Sequence, residues 1–200
     1  MRKHALAFGG AILLLTAAAC NKGNGGAEGN RTQSQTPAAQ KVAGTKTIAA
    51  GLAPNGKFVA AAKFAGLDQT LAGPGPYTVF VPDDAAFNAS QGTFDAKPEN
   101  RAKVTSVLTN LILSGTVLVA DLDKAIDQGK GKAPIATVGG GTLTATKENG
   151  KIVLADSTGH KATITQGDEQ FSNGVVHHVD AVLMPSKEAN APAVGQKVAQ

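Results

Sequence analysis

The sequence predicts an α+β domain in which short helices come first and antiparallel strands follow. Three observations predict it. Apolar residues in the first half of the chain recur at three- and four-residue spacing, the period of a helix face. Beyond residue 130, runs of Val, Ile, Thr and Leu are separated by Gly-rich turns, the pattern of successive strands. Gly and Pro clusters, Pro54-Asn55-Gly56 and Gly73-Pro74-Gly75-Pro76 among them, keep the early helices short.

Residues 1–4 carry Arg2 and Lys3, and residues 5–19 form an uncharged run dominated by Ala and Leu. A membrane-spanning helix needs roughly 20 apolar residues. This shorter run ends in small residues and reads as a secretory signal peptide over 1–19. Cys20 is the single cysteine of the chain, so in an exported protein it has no disulfide partner. Residues 21–45 are Gly, Asn, Gln, Ser, Thr and Ala without apolar periodicity, and are expected to form a disordered tether. Some 25 such residues have a root-mean-square reach of about 25–30 Å. The tail, 186–200, is rich in Ala, Lys and Gln and is expected to be disordered as well.

What remains, 46–185, is the length of one domain, and no internal repeat is visible. It carries 12 Lys and Arg against 13 Asp and Glu, a net −1, so the positive charge of the chain resides in the leader, tether and tail. A nucleic-acid footprint would need basic residues clustered on the folded surface.

Within this span, helices are predicted at 47–52, 58–65 and 67–71. The β-favouring run Tyr77-Thr-Val-Phe-Val-Pro82 predicts a strand, and Asp83 and Asp84 after it cap a following helix. Val104, Val107, Leu108, Leu111 and Ile112 share one face of a helix predicted over 100–114 and ended by Gly115. Another helix is predicted at 118–126. Strands follow at 135–138, 142–147, 152–155, 161–165 and 175–184. The last is entered through the turn pair Asn173-Gly174 and stopped by Pro185.

Few of these residues suit catalysis. His177 and His178 are adjacent on a predicted strand, so their rings point to opposite faces and cannot converge on one metal ion. Both read as structural. Asp83 and Asp84 are sequence neighbours, whereas paired catalytic carboxylates face each other across a cleft. Gly139-Gly140-Gly141 lacks the lysine and helix of a phosphate loop, and no Gly-x-Ser-x-Gly elbow occurs. No catalytic residue, metal site or cofactor is expected. With no Trp and one Tyr, stacking platforms for sugars or single-stranded nucleic acid are not expected either.

Taken together, Thr78-Val-Phe-Val-Pro-Asp-Asp-Ala-Ala-Phe87 and Asn173-Gly-Val-Val-His-His-Val-Asp-Ala-Val-Leu-Met-Pro185 resemble the opening and closing signature segments of a fasciclin domain. The resemblance covers roughly 46–185. It implies short helices packed against an antiparallel β-sheet wedge. Thr78, Phe80, Pro82, Asn173, Gly174, His177 and Asp180 would be the motif residues that hold this fold. His178 departs from the family, which usually has an aliphatic residue there. The Tyr-His pair that many members carry late in the long helix is replaced here by Asn110 and Leu111, so an adhesive role of that pair is not implied. Asp168 matches the Asp of an adhesive Asp-Ile loop and Glu169 does not match the Ile. Those two residues, on a loop expected over 167–172, are the candidate partner-binding pair. Ala17-Ala18-Ala19-Cys20 resembles the box at which bacterial lipoproteins are cleaved and lipidated, with Ala17 where Leu is usual. Lipidation of Cys20 would anchor the chain to the cell envelope. Asn21, which is not the retention aspartate, points to the outer membrane. The implied function is non-catalytic adhesion or surface contact with an extracellular protein or polysaccharide. The alternative is a carrier of a small apolar ligand such as a carotenoid, in a pocket that so few aromatics would leave lined by aliphatic side chains.

Overall fold

A computed structural model describes residues 44–90 and 94–185. The signal peptide, Cys20, nearly all of the tether and the tail lie outside the described residues. Three short helices open the domain: α1 (Ile48–Gly51), α2 (Lys57–Ala65) and α3 (Asp68–Ala72). Strand β1 (Tyr77–Pro82) leads into α4 (Asp84–Ala89), and a 3-10 turn, Pro98–Asn100, leads into α5 (Arg101–Thr109). Then come β2 (Ile112–Ser114), α6 (Val119–Gln128), β3 (Lys132–Ala136), β4 (Thr142–Glu148), β5 (Lys151–Ala155), β6 (Lys161–Phe171) and β7 (Gly174–Val179). None of the described helices is long and apolar enough to cross a membrane.

The local reasons are legible at several ends. Asp83 caps α4 by accepting from Ala86 N at 2.7 Å, and Asp84 accepts from Lys57 N at 3.0 Å, so it serves the first turn of α2 instead. Gly66 ends α2 in the left-handed conformation, at φ 77°.

The strands form one sheet in the order β2-β1-β7-β6-β5-β4-β3. Every adjacent pair is antiparallel except β1 and β7, which run parallel from Tyr77↔Gly174 to Pro82↔Val179. Residues 97 positions apart in sequence pair between these two strands, which are almost wholly buried. Beyond β3 the chain curls back, and Val138 N donates to Ile112 O at 2.8 Å, nearly closing the sheet on its far edge. Phe80, Ile112, Leu108, Leu143, Leu154 and Leu183 are among the fully buried residues of the core.

Four predicted elements differ from the structure. The helix expected over 100–114 stops at Thr109, and Ile112–Ser114 is a strand paired antiparallel with β1. Its apolar spacing was helical, yet Leu111, Ile112 and Leu113 are all buried, a consecutive run that one helix face cannot bury. Hydrogen bonding with β1, including Phe80 N to Leu111 O at 2.9 Å, decides the matter. The strand expected over 175–184 ends at Val179. Asp180 turns the chain by accepting from Thr163 N at 2.6 Å while its own N donates to Thr163 O at 3.2 Å. Most of the loop expected over 167–172 belongs to β6, which reaches Phe171 through two register shifts. The edge strand expected at 135–138 is Lys132–Ala136, where Pro134 is tolerated because β3 ends the sheet.

Candidate functional site

His177 and His178 lie next to each other on β7 and face different surroundings. The His177 ring is wholly buried and stacks on Phe80, with centroids 5.6 Å apart and planes 29° apart. Val117 O lies 2.8 Å from Nε2, and Asp168 N donates to Nδ1 at 3.1 Å. A carbonyl can only accept and an amide N–H can only donate, so the proton sits on Nε2 and the ring is neutral. Burial holds its pKa below the usual 6.5; the Val117 carbonyl and the Asp168 carboxylate oppose that shift, and His178 adds to it. Below 6.5 the unfolded chain takes up this proton before the folded chain does. The contribution of His177 to stability is therefore complete above pH 6.5 and declines as pH falls from there toward the lower folded-state pKa. Melting temperatures measured between pH 7.5 and 5 should fall for the parent chain, and more gently for His177→Gln. Equal slopes would exclude His177 as the cause.

His178 points the other way, half exposed, with Nε2 2.9 Å from Glu169 Oε2. The two rings do not converge, and no group of His, Cys, Asp and Glu among the described residues could hold a metal ion.

Asp168 occupies the bulge of β6 at φ 61°, a conformation that Asp tolerates better than most residues. Its Oδ1 accepts from Val119 N at 2.8 Å and so caps α6, whose own Asp121 Oδ2 accepts from Leu118 N at 3.2 Å. The bulge can lie this close to α6 because residue 167 is glycine: a Cβ there would stand 2.3 Å from Val119 Cγ2 and 3.3 Å from His177 Nδ1. The candidate pair thus stands on a bulged strand, with both carboxylates partly exposed and both bonded within the domain. A cleft of about 490 Å³ opens beside Asp168 between α6 and β4–β6, with Val119, Lys147, Ile152 and Ile164 in its walls.

The remaining motif residues join elements distant in sequence. Thr78 Oγ1 donates to Gly115 O at 2.8 Å and accepts from Val117 N at 2.9 Å, tying β1 to the start of α6. Pro82 ends β1, after which Asp83 N donates to Val179 O at 3.0 Å. The Asn173 amide accepts from Ile48 N and donates to Leu71 O and Gly73 O, each at 2.8 Å. Gly174 packs against β1 so closely that a Cβ would lie 2.0 Å from Tyr77 O.

Sequence reasoning missed two features. Asp156 has a wholly buried carboxylate that accepts from Thr158, His160 and Met184, and its only signal was the turn composition Asp156-Ser-Thr-Gly159. The other is an aromatic cluster. Although the chain has only seven Phe, three of them, Phe64, Phe87 and Phe94, line one pocket of about 360 Å³, and Phe58 packs edge-on against Phe87. The expectation of a pocket lined only by aliphatic side chains is therefore corrected.

The sequence model of the fasciclin domain matches residues 55–185. The chain belongs to the fasciclin domain family. Among fasciclin relatives, protein sll1483 of Synechocystis is 33% identical over 141 residues, covering 69% of this chain and 71% of that one. Porcine transforming growth factor-beta-induced protein ig-h3 is 31% identical over 68% of this chain, which corresponds to 18% of its own length. Immunogenic protein MPB70 of Mycobacterium bovis is 28% identical over 56% of this chain and 51% of its own. The fold matches the fasciclin domain pair of the insect cell adhesion molecule Fasciclin I, with a TM-score of 0.60 at 19% identity, covering 73% of this chain and 53% of that one.

Proposed function

We propose that this fasciclin protein is an exported, non-catalytic binding protein, tethered to the bacterial cell envelope through lipidated Cys20, that makes adhesive or matrix contact. The outer membrane is its proposed site. The observation that carries the reading is the family assignment over 55–185, together with the likeness in fold to the domain pair of the insect cell adhesion molecule Fasciclin I. The disposition of the titratable groups supports binding over catalysis. His177, Asp83, Asp84, Asp156 and Asp180 are each engaged in hydrogen bonds that hold the fold.

The proposed contact surface is the bulge of β6 around Asp168 and Glu169, with an extracellular protein or polysaccharide as partner. A weak single-domain contact becomes effective when many anchored copies present it together. The expected result is saturable binding of the purified protein to surface material of the producing cell. It should be lost in an Asp168→Asn, Glu169→Gln double variant, which keeps hydrogen-bond acceptors while removing both charges. Binding that survives the variant places the contact elsewhere. Substituting Cys20→Ser should move the protein from the detergent phase to the aqueous phase; continued detergent partitioning would overturn the lipid anchor.

A further inference from the structure

The aromatic pocket lies on the helical side of the domain, and its shape follows from α2. Residues 60–62 of that helix are all alanine, and Phe64 lies one turn after Ala60. Two alanines where larger side chains would fill the space leave a hollow, which Phe64, Phe87 and Phe94 wall and Ala60 and Ala61 floor. At about 360 Å³ the hollow falls within the ~300–1,000 Å³ of small-molecule sites.

Two charged side chains stand at its mouth, Lys57 and Asp95. Asp95 is paired with Lys97 at 3.5 Å. Lys57 directs its ammonium to the amide oxygen of Asn88, and no carboxylate among the described residues forms an ion pair with it. The nearby Asp84 accepts from the Lys57 backbone N instead. An apolar hollow rimmed by a cation without an acidic partner is complementary to an amphiphile with an apolar chain and an anionic head.

We propose that this pocket binds a fatty-acid-like carboxylate, its hydrocarbon chain against Phe64, Phe87 and Phe94 and its head at Lys57 Nζ. Chain burial supplies most of the affinity, in proportion to the apolar area covered, and the lysine selects the anion. This site is separate from the β6 bulge and stands whether or not that surface is adhesive.

The test uses the full chain carrying Cys20→Ser, so that no acyl group of its own competes. Binding is read from the emission of cis-parinaric acid, a fluorescent long-chain carboxylate, with lauric acid and methyl laurate as competitors. The absence of Trp keeps the background low. Parinaric acid should bind saturably, and lauric acid should displace it better than its ester. In Lys57→Gln the affinity for the acid should fall about fivefold while that for the ester is unchanged. Ala60→Phe, at an exposed position on the pocket floor, should abolish both at an unaltered melting temperature. Absence of saturable emission, or equal binding by Ala60→Phe, would overturn the site. Equal competition by acid and ester in the parent chain would overturn the role of Lys57.

Discussion

Replacing Asn173 by alanine should lower stability by about 3–4 kcal/mol, a drop of ~10–15 °C in Tm for a domain of this size. The amide spans three elements at once, accepting from Ile48 at the start of α1 and donating to Leu71 and Gly73 around the end of α3. Alanine leaves one N–H and two carbonyls without partners in or near the core, and each such loss costs about 1–3 kcal/mol. Aspartate should not rescue it. It keeps the acceptor for Ile48 N but turns a carboxylate toward two carbonyl oxygens. Thermal melts followed by circular dichroism test this, read beside surface binding. Loss of binding at an unchanged Tm would assign Asn173 to the contact surface and refute its structural role.

A comparable loss, about 3 kcal/mol, is expected for Asp156→Ala. This carboxylate accepts from Thr158 N at 2.8 Å, Thr158 Oγ1 at 2.7 Å, His160 N at 2.9 Å and Met184 N at 2.7 Å, with His160 Nδ1 at 3.1 Å. It closes the β5–β6 turn and pins residue 184, just after β7, to it. Burial alone would raise its pKa. The bonds from Thr158, Met184 and His160 outweigh that, and the carboxyl lies below its usual 3.8. The unfolded chain therefore takes the proton first as pH falls. The stabilising effect is complete above pH 3.8 and is lost as acidity increases below it. Urea melts at pH 7 should show the full loss in Asp156→Ala, and Asp156→Asn should flatten the acid limb below pH 4. If the limb keeps its slope in Asp156→Asn, the acid sensitivity belongs to other carboxylates.

Local chemistry made much of the fold legible. Glycine and proline breaks placed α2 and α3 within a residue or two, and the β-branched runs located β1, β4 and β5. His177 and His178 were assigned to opposite faces from strand alternation alone, and the rings do part that way. Segments whose conformation depends on a distant partner were not legible. Residues 111–114 carry helical spacing, and only the presence of β1 beside them makes a strand. Gln166-Gly-Asp-Glu169 has the composition of a turn, yet pairing with β7 extends β6 through it as a bulge.

The candidate site divides the same way. The resemblance to the fasciclin signatures singled out Asp168, Glu169, His177 and Asn173 as residues of consequence. What those side chains touch lay beyond reach. Asp168 caps a helix 49 residues earlier, Asn173 bonds to a residue 125 positions away, and the phenylalanine pocket joins α2 to α4 and residues 94–96. By itself the sequence determined the class of fold, the domain's span of backbone preferences and the family signature, since these rest on each residue's dihedral preference and the period of its apolar neighbours. Tertiary structure alone decided the parallel β1–β7 pairing, the bulge and the pocket, because a ladder or a hollow exists only when two distant segments meet, and no local preference encodes the meeting.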